Sequence, residues 1–204
     1  MLKRLFDLVI ATSLLLLVTP VFLIIALLIK VESSGPVFFR QMRVGQDGKT
    51  FFIHKFRSMY ISTPKSVEMP LTVGDDVRIT KVGRYIRRFH VDELCQTIDV
   101  ILGTMSLVGP RPETPDYTRY YSQDWALVLK VKPGITGLAA IKYASKEYAL
   151  LASAKHPEAT YIERILPKKL RYEKFYVRHQ SLRFDLYIMY LTIKYFWKKS
   201  LHRY

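Results

Sequence analysis

LVIATSLLLLVTPVFLIIALLI, residues 8–29, holds no charged side chain and constrains how everything after it can be arranged. As a helix rising about 1.5 Å per residue it reaches about 33 Å, just enough to cross a hydrocarbon core roughly 30 Å thick. A secretory signal peptide is the weaker reading, because the run is long and no small-x-small cleavage site follows it. A plain spanning helix meets two difficulties. Lys3 and Arg4 precede the run while Lys30, Arg40, Arg43, Lys49, Lys55 and Arg57 follow it, so positive-inside bias draws both ends to the cytoplasm. Near the middle, Pro20 removes a helix hydrogen bond, and the Thr19 hydroxyl is placed to satisfy a freed carbonyl. A helix broken at Pro20 that enters and leaves by one face answers both points; a Pro-kinked spanning helix stays as the alternative.

The 204 residues carry a formal charge of +15, yet half of them are hydrophobic. That combination excludes a disordered basic tail and suits a chain held at an anionic membrane surface, with phosphate-bearing substrates or nucleic acid as other takers of the charge. No nucleic-acid-binding fold signature is present, so nucleic acid is not an expected partner. The single cysteine, Cys95, reads as a small core residue, since it has no partner for a disulfide or a cysteine zinc site.

Beyond the apolar run, Val37–Gln41 and Thr50–His54 flank a turn with Gly45 and Gly48 and predict a β-hairpin. The turn lacks Walker spacing and is read as a turn, not a phosphate loop. Residues 60–76 read as a polar surface loop. From Ile79 a helical pattern puts Val82, Tyr85 and Ile86 on one face, with Arg84, Arg87 and Arg88 interleaved. Glu147–Ala154 and Ile162–Tyr176 also read as helices, and Phe184–Lys199 as an amphipathic helix whose Tyr, Trp and Lys residues suit a headgroup layer. The expected fold class is therefore α+β, mainly helical with a small β-hairpin and interfacial amphipathic helices. Residues 1–30 form the membrane helix-break-helix and 31–204 a cytoplasmic, membrane-associated catalytic domain.

Leu94, Ile98 and Ile101 recur at helical spacing, which sets Asp92 and Glu93 in the first turn of a helix ending at Gly103. Such acids often do no more than complement the helix dipole. The functional reading makes one carboxylate an ionised nucleophile, with its neighbour on a divalent cation, since Mg²⁺ takes one or two carboxylates plus substrate phosphates. Downstream, Pro110-Arg111-Pro112 holds a guanidinium between two prolines, a shape suited to bidentate phosphate binding. Alone, the Asp-Glu pair reads first as a helix-dipole complement, and the Pro-Arg-Pro loop is equally compatible with a structural arginine.

In order along the chain stand Lys3-Arg4-x-x-Asp7 before the Pro-containing helix, Gly35-Pro36-Val37-Phe38-Phe39-x-Gln41-x-Arg43-x-Gly45, and Lys55-Phe56-Arg57-Ser58-Met59. They are followed by Asp92-Glu93-Leu94, Met105-Ser106-x-Val108-Gly109-Pro110-Arg111-Pro112 and Val131-x-Pro133-Gly134-Ile135-Thr136-Gly137. This ordered set resembles the monotopic phosphoglycosyl transferases, bacterial sugar transferases that act on polyprenyl phosphate. The resemblance implies that Asp92 attacks the β-phosphate of a UDP-sugar, expels UMP and carries a covalent phospho-sugar that polyprenyl phosphate then takes, a ping-pong sequence opening surface glycan assembly. It implies Mg²⁺ at Glu93, beside Asp92, phosphate binding by Arg111, and Thr19-Pro20 as the break of a re-entrant helix; charge neutralisation at the phosphoryl centre adds Arg88 or Lys55 as further phosphate contacts and Asp92 as a second metal ligand. It places the chain at the cytoplasmic face of the bacterial inner membrane, with membrane lipid as a partner and a homodimer left open.

Two departures stand out. Cys95 replaces a proline common after Asp-Glu-Leu, and Gly137-Leu138-Ala139-Ala140-Ile141-Lys142-Tyr143 replaces a Gly-x-x-Gln-x-x-Gly-Arg run. The second bears on sugar and nucleotide recognition, with Lys142 and Arg171 as candidate contacts.

Overall fold

The computed structural model describes residues 1–61 and 76–201. Helix α1 (Leu2–Glu32) leads into an antiparallel hairpin of β1 (Phe38–Val44) and β2 (Thr50–Phe56). Short helices α2 (Lys81–Arg88), α3 (Val91–Leu94) and α4 (Thr97–Leu102) follow. Strand β3 (Ser106–Val108) pairs in parallel with β4 (Gly134–Thr136) across two single-turn helices, α5 (Pro115–Thr118) and α6 (Trp125–Val128). The chain closes with α7 (Leu138–Ala152), α8 (Pro157–Thr160), a π-helical turn at Tyr161–Ile165, α9 (Leu166–Arg178) and α10 (Leu182–Leu201). The expected mainly helical architecture with a small hairpin is what forms.

Helix α1 is the one described helix long and apolar enough to cross a membrane. Ala11, Phe22, Ile25 and Ile29 face the protein, while Leu16, Leu17, Leu23, Ile24 and Leu27 stand exposed on its other sides. Apolar exposure on that scale requires an apolar surrounding. Pro20 does not interrupt the helix, which runs on through it, contrary to the expected helix-break-helix. The Thr19 hydroxyl donates to Leu15 O at 2.7 Å, one carbonyl before the one Pro20 leaves without its N–H.

Both ends of α1 are tied to the rest of the chain. At its start, Lys3 Nζ meets Asp185 Oδ2 at 2.6 Å and Val108 O at 3.2 Å, and Arg4 caps the C-terminal carbonyls of α4 at Val100 O, 2.5 Å, and Ile101 O, 3.1 Å. Buried Asp7 accepts from Ser106 Oγ at 2.8 Å and Leu107 N at 3.3 Å. At its end, Glu32 accepts the first N–H groups of α2, Lys81 at 2.6 Å and Val82 at 2.9 Å, satisfying donors that a helix start leaves free. Arg57 donates to Ser33 O at 2.8 Å and to Ser34 O.

The central core joins Ala11, Ile53, Val100, Met105, Val108, Leu138, Tyr176 and Ile188, so α1, the hairpin, β3, α9 and α10 share one interior. A second cluster under α1 packs Phe22, Ile25 and Ile29 on Phe56, Ile86 and Cys95, confirming Cys95 as a core residue whose thiol burial pushes up to about 12. In α2, Ile86 is buried as expected, but Tyr85 points outward at 64% exposure, because so short a helix presents only a narrow inward stripe. The loop expected over residues 60–76 lies, except for its ends, outside the described residues.

Candidate active site

The expected helix from Asp92 to Gly103 forms as two pieces, α3 and α4, separated at Cys95 and Gln96. Its far end is as read: Gly103, at φ 90°, takes the left-handed position that closes a helix. Its near end holds a feature the sequence did not announce. His90 sits at φ 54°, a left-handed conformation unfavourable for a side-chain-bearing residue, and turns the chain sharply between α2 and α3. That corner presents Asp92 and Glu93 toward the hairpin.

Glu93 is gripped from two sides. Arg111 meets it with Nη1 3.1 Å from Oε2 and with Nη2 on Oε1, and Lys55 Nζ, from β2, lies 3.4 Å from Oε1. Burial alone would raise the Glu93 carboxyl, but the Arg111 and Lys55 charges hold it far below the usual carboxylate range. Asp92 has the opposite environment. Burial, reinforced by the Glu93 charge, pushes its carboxyl up to about 6 against the pull of Lys55 and Arg87, and its Oδ1 is buried with no hydrogen-bond partner. Because α3 is a single turn of four residues, its dipole is weak and desolvation dominates at Asp92.

The structure thus brings together Asp92, Glu93, Arg111 and Lys55. Arg88 is not among them: it is exposed, with its guanidinium 5.7 Å from the Phe89 ring centroid. Arg87, one position earlier and about 100° around the helix, is the arginine whose charge acts on Asp92. Lys142 and Arg171 lie apart, on α7 and α9.

The Pro110–Pro112 loop that carries Arg111 is clamped. Gly134 N donates to Pro110 O and Val44 N to Glu113 O, both at 2.9 Å, and Arg43 Nη1 to Pro112 O at 3.1 Å. Only glycine fits at position 109, where a Cβ would stand 2.5 Å from Lys132 O and 2.8 Å from Gly134 N. Behind the loop lies a buried polar group that sequence reading missed. Glu113 Oε1 accepts from Tyr161 Oη at 2.6 Å and Lys169 Nζ at 2.9 Å, and Glu173 Oε1 accepts the Arg111 N–H at 3.3 Å. Nothing in a single sequence separates these charged residues from surface ones; the position of Glu113 directly after Pro-Arg-Pro is the sole hint.

Mg²⁺ can be tested against this geometry. Among the described residues no three His, Cys, Asp or Glu side chains converge on a complete metal shell. An ion completed by substrate phosphates and water needs only one or two carboxylates. The orphaned Asp92 Oδ1 beside Glu93 fits that requirement, since a buried anionic oxygen calls for a cation or a proton.

A family model for bacterial sugar transferases matches residues 1–199. The chain is 41% identical over 196 residues to the UDP-glucose:undecaprenyl-phosphate glucose-1-phosphate transferase of Escherichia coli K12, covering 95% of this chain and 39% of that protein. It is 35% identical over 195 residues to the UDP-N-acetylgalactosamine-undecaprenyl-phosphate N-acetylgalactosaminephosphotransferase of Aeromonas hydrophila, covering 94% of this chain and 43% of that protein. With the uncharacterized sugar transferase EpsL of Bacillus subtilis it shares 38% identity over 193 residues, 95% of this chain and 86% of that one. The chain therefore spans about two fifths of the length of the first two of these relatives.

Proposed function

We propose, from the premise that the chain belongs to the bacterial sugar transferase family, that it transfers a phospho-sugar from a UDP-sugar to polyprenyl phosphate at the cytoplasmic face of the bacterial inner membrane. The observation that carries the chemistry is the unpartnered Asp92 Oδ1 beside the Arg111, Glu93 and Lys55 cluster. With its carboxyl raised only to about 6, Asp92 is mainly ionised at pH 7 and needs no separate base.

Asp92 attacks the β-phosphorus of the donor. A bond forms between its carboxylate oxygen and phosphorus, the bond from that phosphorus to the bridging oxygen breaks, and UMP leaves. A phosphate oxygen of the polyprenyl phosphate then attacks the same phosphorus, the bond to Asp92 breaks, and the carboxylate returns as polyprenyl diphosphate-sugar forms. Arg111, fixed by its prolines and by Glu173, and Lys55 stand where charge builds on the phosphoryl oxygens. Arg87 adds positive charge on the Asp92 side. Asp92 and Glu93 would hold Mg²⁺, which when bound neutralises phosphate charge and orients the diphosphate.

Topology belongs to the same proposal. A straight helix of 31 residues runs about 46 Å, and both ends of α1 are tied by charged side chains to elements of one domain. With both ends on one side, α1 would dip into the bilayer and leave by the same face, staying helical through Pro20. A cysteine introduced at position 2 should resist labelling from the periplasm; labelling there contradicts the re-entrant path. For the chemistry, purified chain with Mg²⁺, polyprenyl phosphate and a donor panel including UDP-glucose and UDP-N-acetylgalactosamine should release UMP. Release of UDP in its place would rule the reaction out.

A further inference from the structure

Between α7, α9 and α10 lies a cleft of about 920 Å³ that shares no lining residue with the Asp92, Glu93, Arg111 and Lys55 cluster. Four exposed cations line it: Lys142 and Lys146, one turn apart on α7, and Lys168 and Arg171 on α9. Among the described residues none of the four is in an ion pair, and no carboxylate lines the cleft. Glu147, the acid next to Lys146, is engaged elsewhere, 3.7 Å from the buried Lys169.

The rest of the lining is apolar and aromatic, including the half-exposed Phe175 and Tyr187 and the more buried Phe184. Its position is informative. Asp185, directly after Phe184, holds Lys3 at 2.6 Å, and Phe184 packs on the same core as Phe6 and Ile10 of α1. One wall of the cleft therefore stands beside the first turns of α1, where exposed Leu2, Leu5 and Val9 begin the apolar surface.

Four unpaired cations over aromatic walls, set next to a membrane-seeking helix, complement an anionic head on an apolar tail. We infer that the cleft binds one anionic phospholipid of the surrounding bilayer, its phosphate among Lys142, Lys146, Lys168 and Arg171 and an acyl chain along Phe175, Phe184 and Tyr187. The polyprenyl phosphate acceptor has related chemistry, but a phosphate held on α7 and α9 is at a site that shares no residue with the Asp92 cluster. The bilayer lipid is accordingly the occupant. A zwitterionic lipid brings its own cation to the same four side chains and is disfavoured. The inference rests on the membrane part of the proposed function and is independent of its chemistry. A lipid seated there would brace α7 against α9 and α10.

The test is native mass spectrometry of the full chain in detergent, with phosphatidylglycerol, phosphatidylcholine and polyprenyl phosphate added separately at equal concentration. Wild type should retain one phosphatidylglycerol in preference to phosphatidylcholine. Lys142→Gln with Arg171→Gln, and separately Lys146→Gln with Lys168→Gln, should each lower that retention about tenfold or more, from the attraction each cation exerts on an anionic lipid. Lys49→Gln with Lys130→Gln, outside the cleft, should not. Equal retention of the two phospholipids by wild type, or retention that neither cleft pair lowers, overturns the site. Loss of polyprenyl phosphate retention alone in the cleft variants assigns the cleft to the acceptor and overturns the phospholipid. The readout is retention and not turnover, so a chain that releases no UMP yet keeps one phosphatidylglycerol contradicts the transferase reading while leaving this one standing.

Discussion

Arg111 lies edge to edge with Glu93, its Nη1 3.1 Å from Oε2 and its Nη2 on Oε1, while Asp92, the adjacent residue, keeps Oδ1 without a partner. Two neighbouring carboxylates are thereby driven apart in character. One is a fixed anion locked to cations; the other is desolvated, with one oxygen left unpartnered.

The first prediction concerns the fork. Arg111→Lys retains the charge and loses the paired geometry, so UMP release should fall about a hundredfold, as for removal of one oriented donor at a developing oxyanion. The melting temperature should drop by no more than a few degrees. Activity within twofold of wild type would mean that Arg111 serves only as a counter-ion.

A second prediction follows from Glu173, whose carboxyl burial pushes up to about 8 from an ordinary 4.5. Between those values the folded chain keeps a proton that the unfolded chain releases, so stability falls as pH rises through the window and levels off above it. Glu173→Gln preserves an acceptor for the Arg111 N–H and removes the titration. The variant's melting temperature relative to wild type should rise steadily from pH 5 to 8. A difference independent of pH, or of opposite slope, would contradict the assignment.

The third prediction tests how α1 is held. Lys3→Met leaves buried Asp185, among the described residues, with the Tyr176 hydroxyl at 2.8 Å as its side-chain partner, and should cost about 1–3 kcal/mol in thermal or denaturant unfolding. Adding Asp185→Asn removes the stranded charge and should restore part of that loss, the mark of a direct coupling. Additive losses would show that the two residues do not act as a pair.

What was legible in the sequence was whatever local pattern encodes. The hairpin showed in two aromatic runs around glycines, the end of α4 in Gly103, and Lys55 and Arg111 in short motifs with distinctive neighbours. What escaped depends on distant packing. Strands β3 and β4 are three residues each and are joined across 25 intervening residues, too short to carry alternation and too far apart to read as a pair. On α2, Arg87 and the expected Arg88 are one position apart, which on a helix sets their side chains on different faces, and Arg87 is the one whose charge acts on Asp92. Glu113, Lys169 and Glu173 are ionisable and interior, a state that their residue types ordinarily argue against. The Asp92 environment likewise needed the fold, because desolvation comes from what closes over a residue and not from its neighbours in the chain.

Whether Asp92 carries the phospho-sugar is read by intact and peptide mass spectrometry after incubating the chain with Mg²⁺ and a UDP-sugar substrate in the absence of polyprenyl phosphate. A covalent route through Asp92 gives UMP in solution and a sugar-phosphate adduct on the peptide containing Asp92, discharged when polyprenyl phosphate is added and never formed by Asp92→Asn. UMP release that requires the acceptor, with no adduct on Asp92, would contradict it.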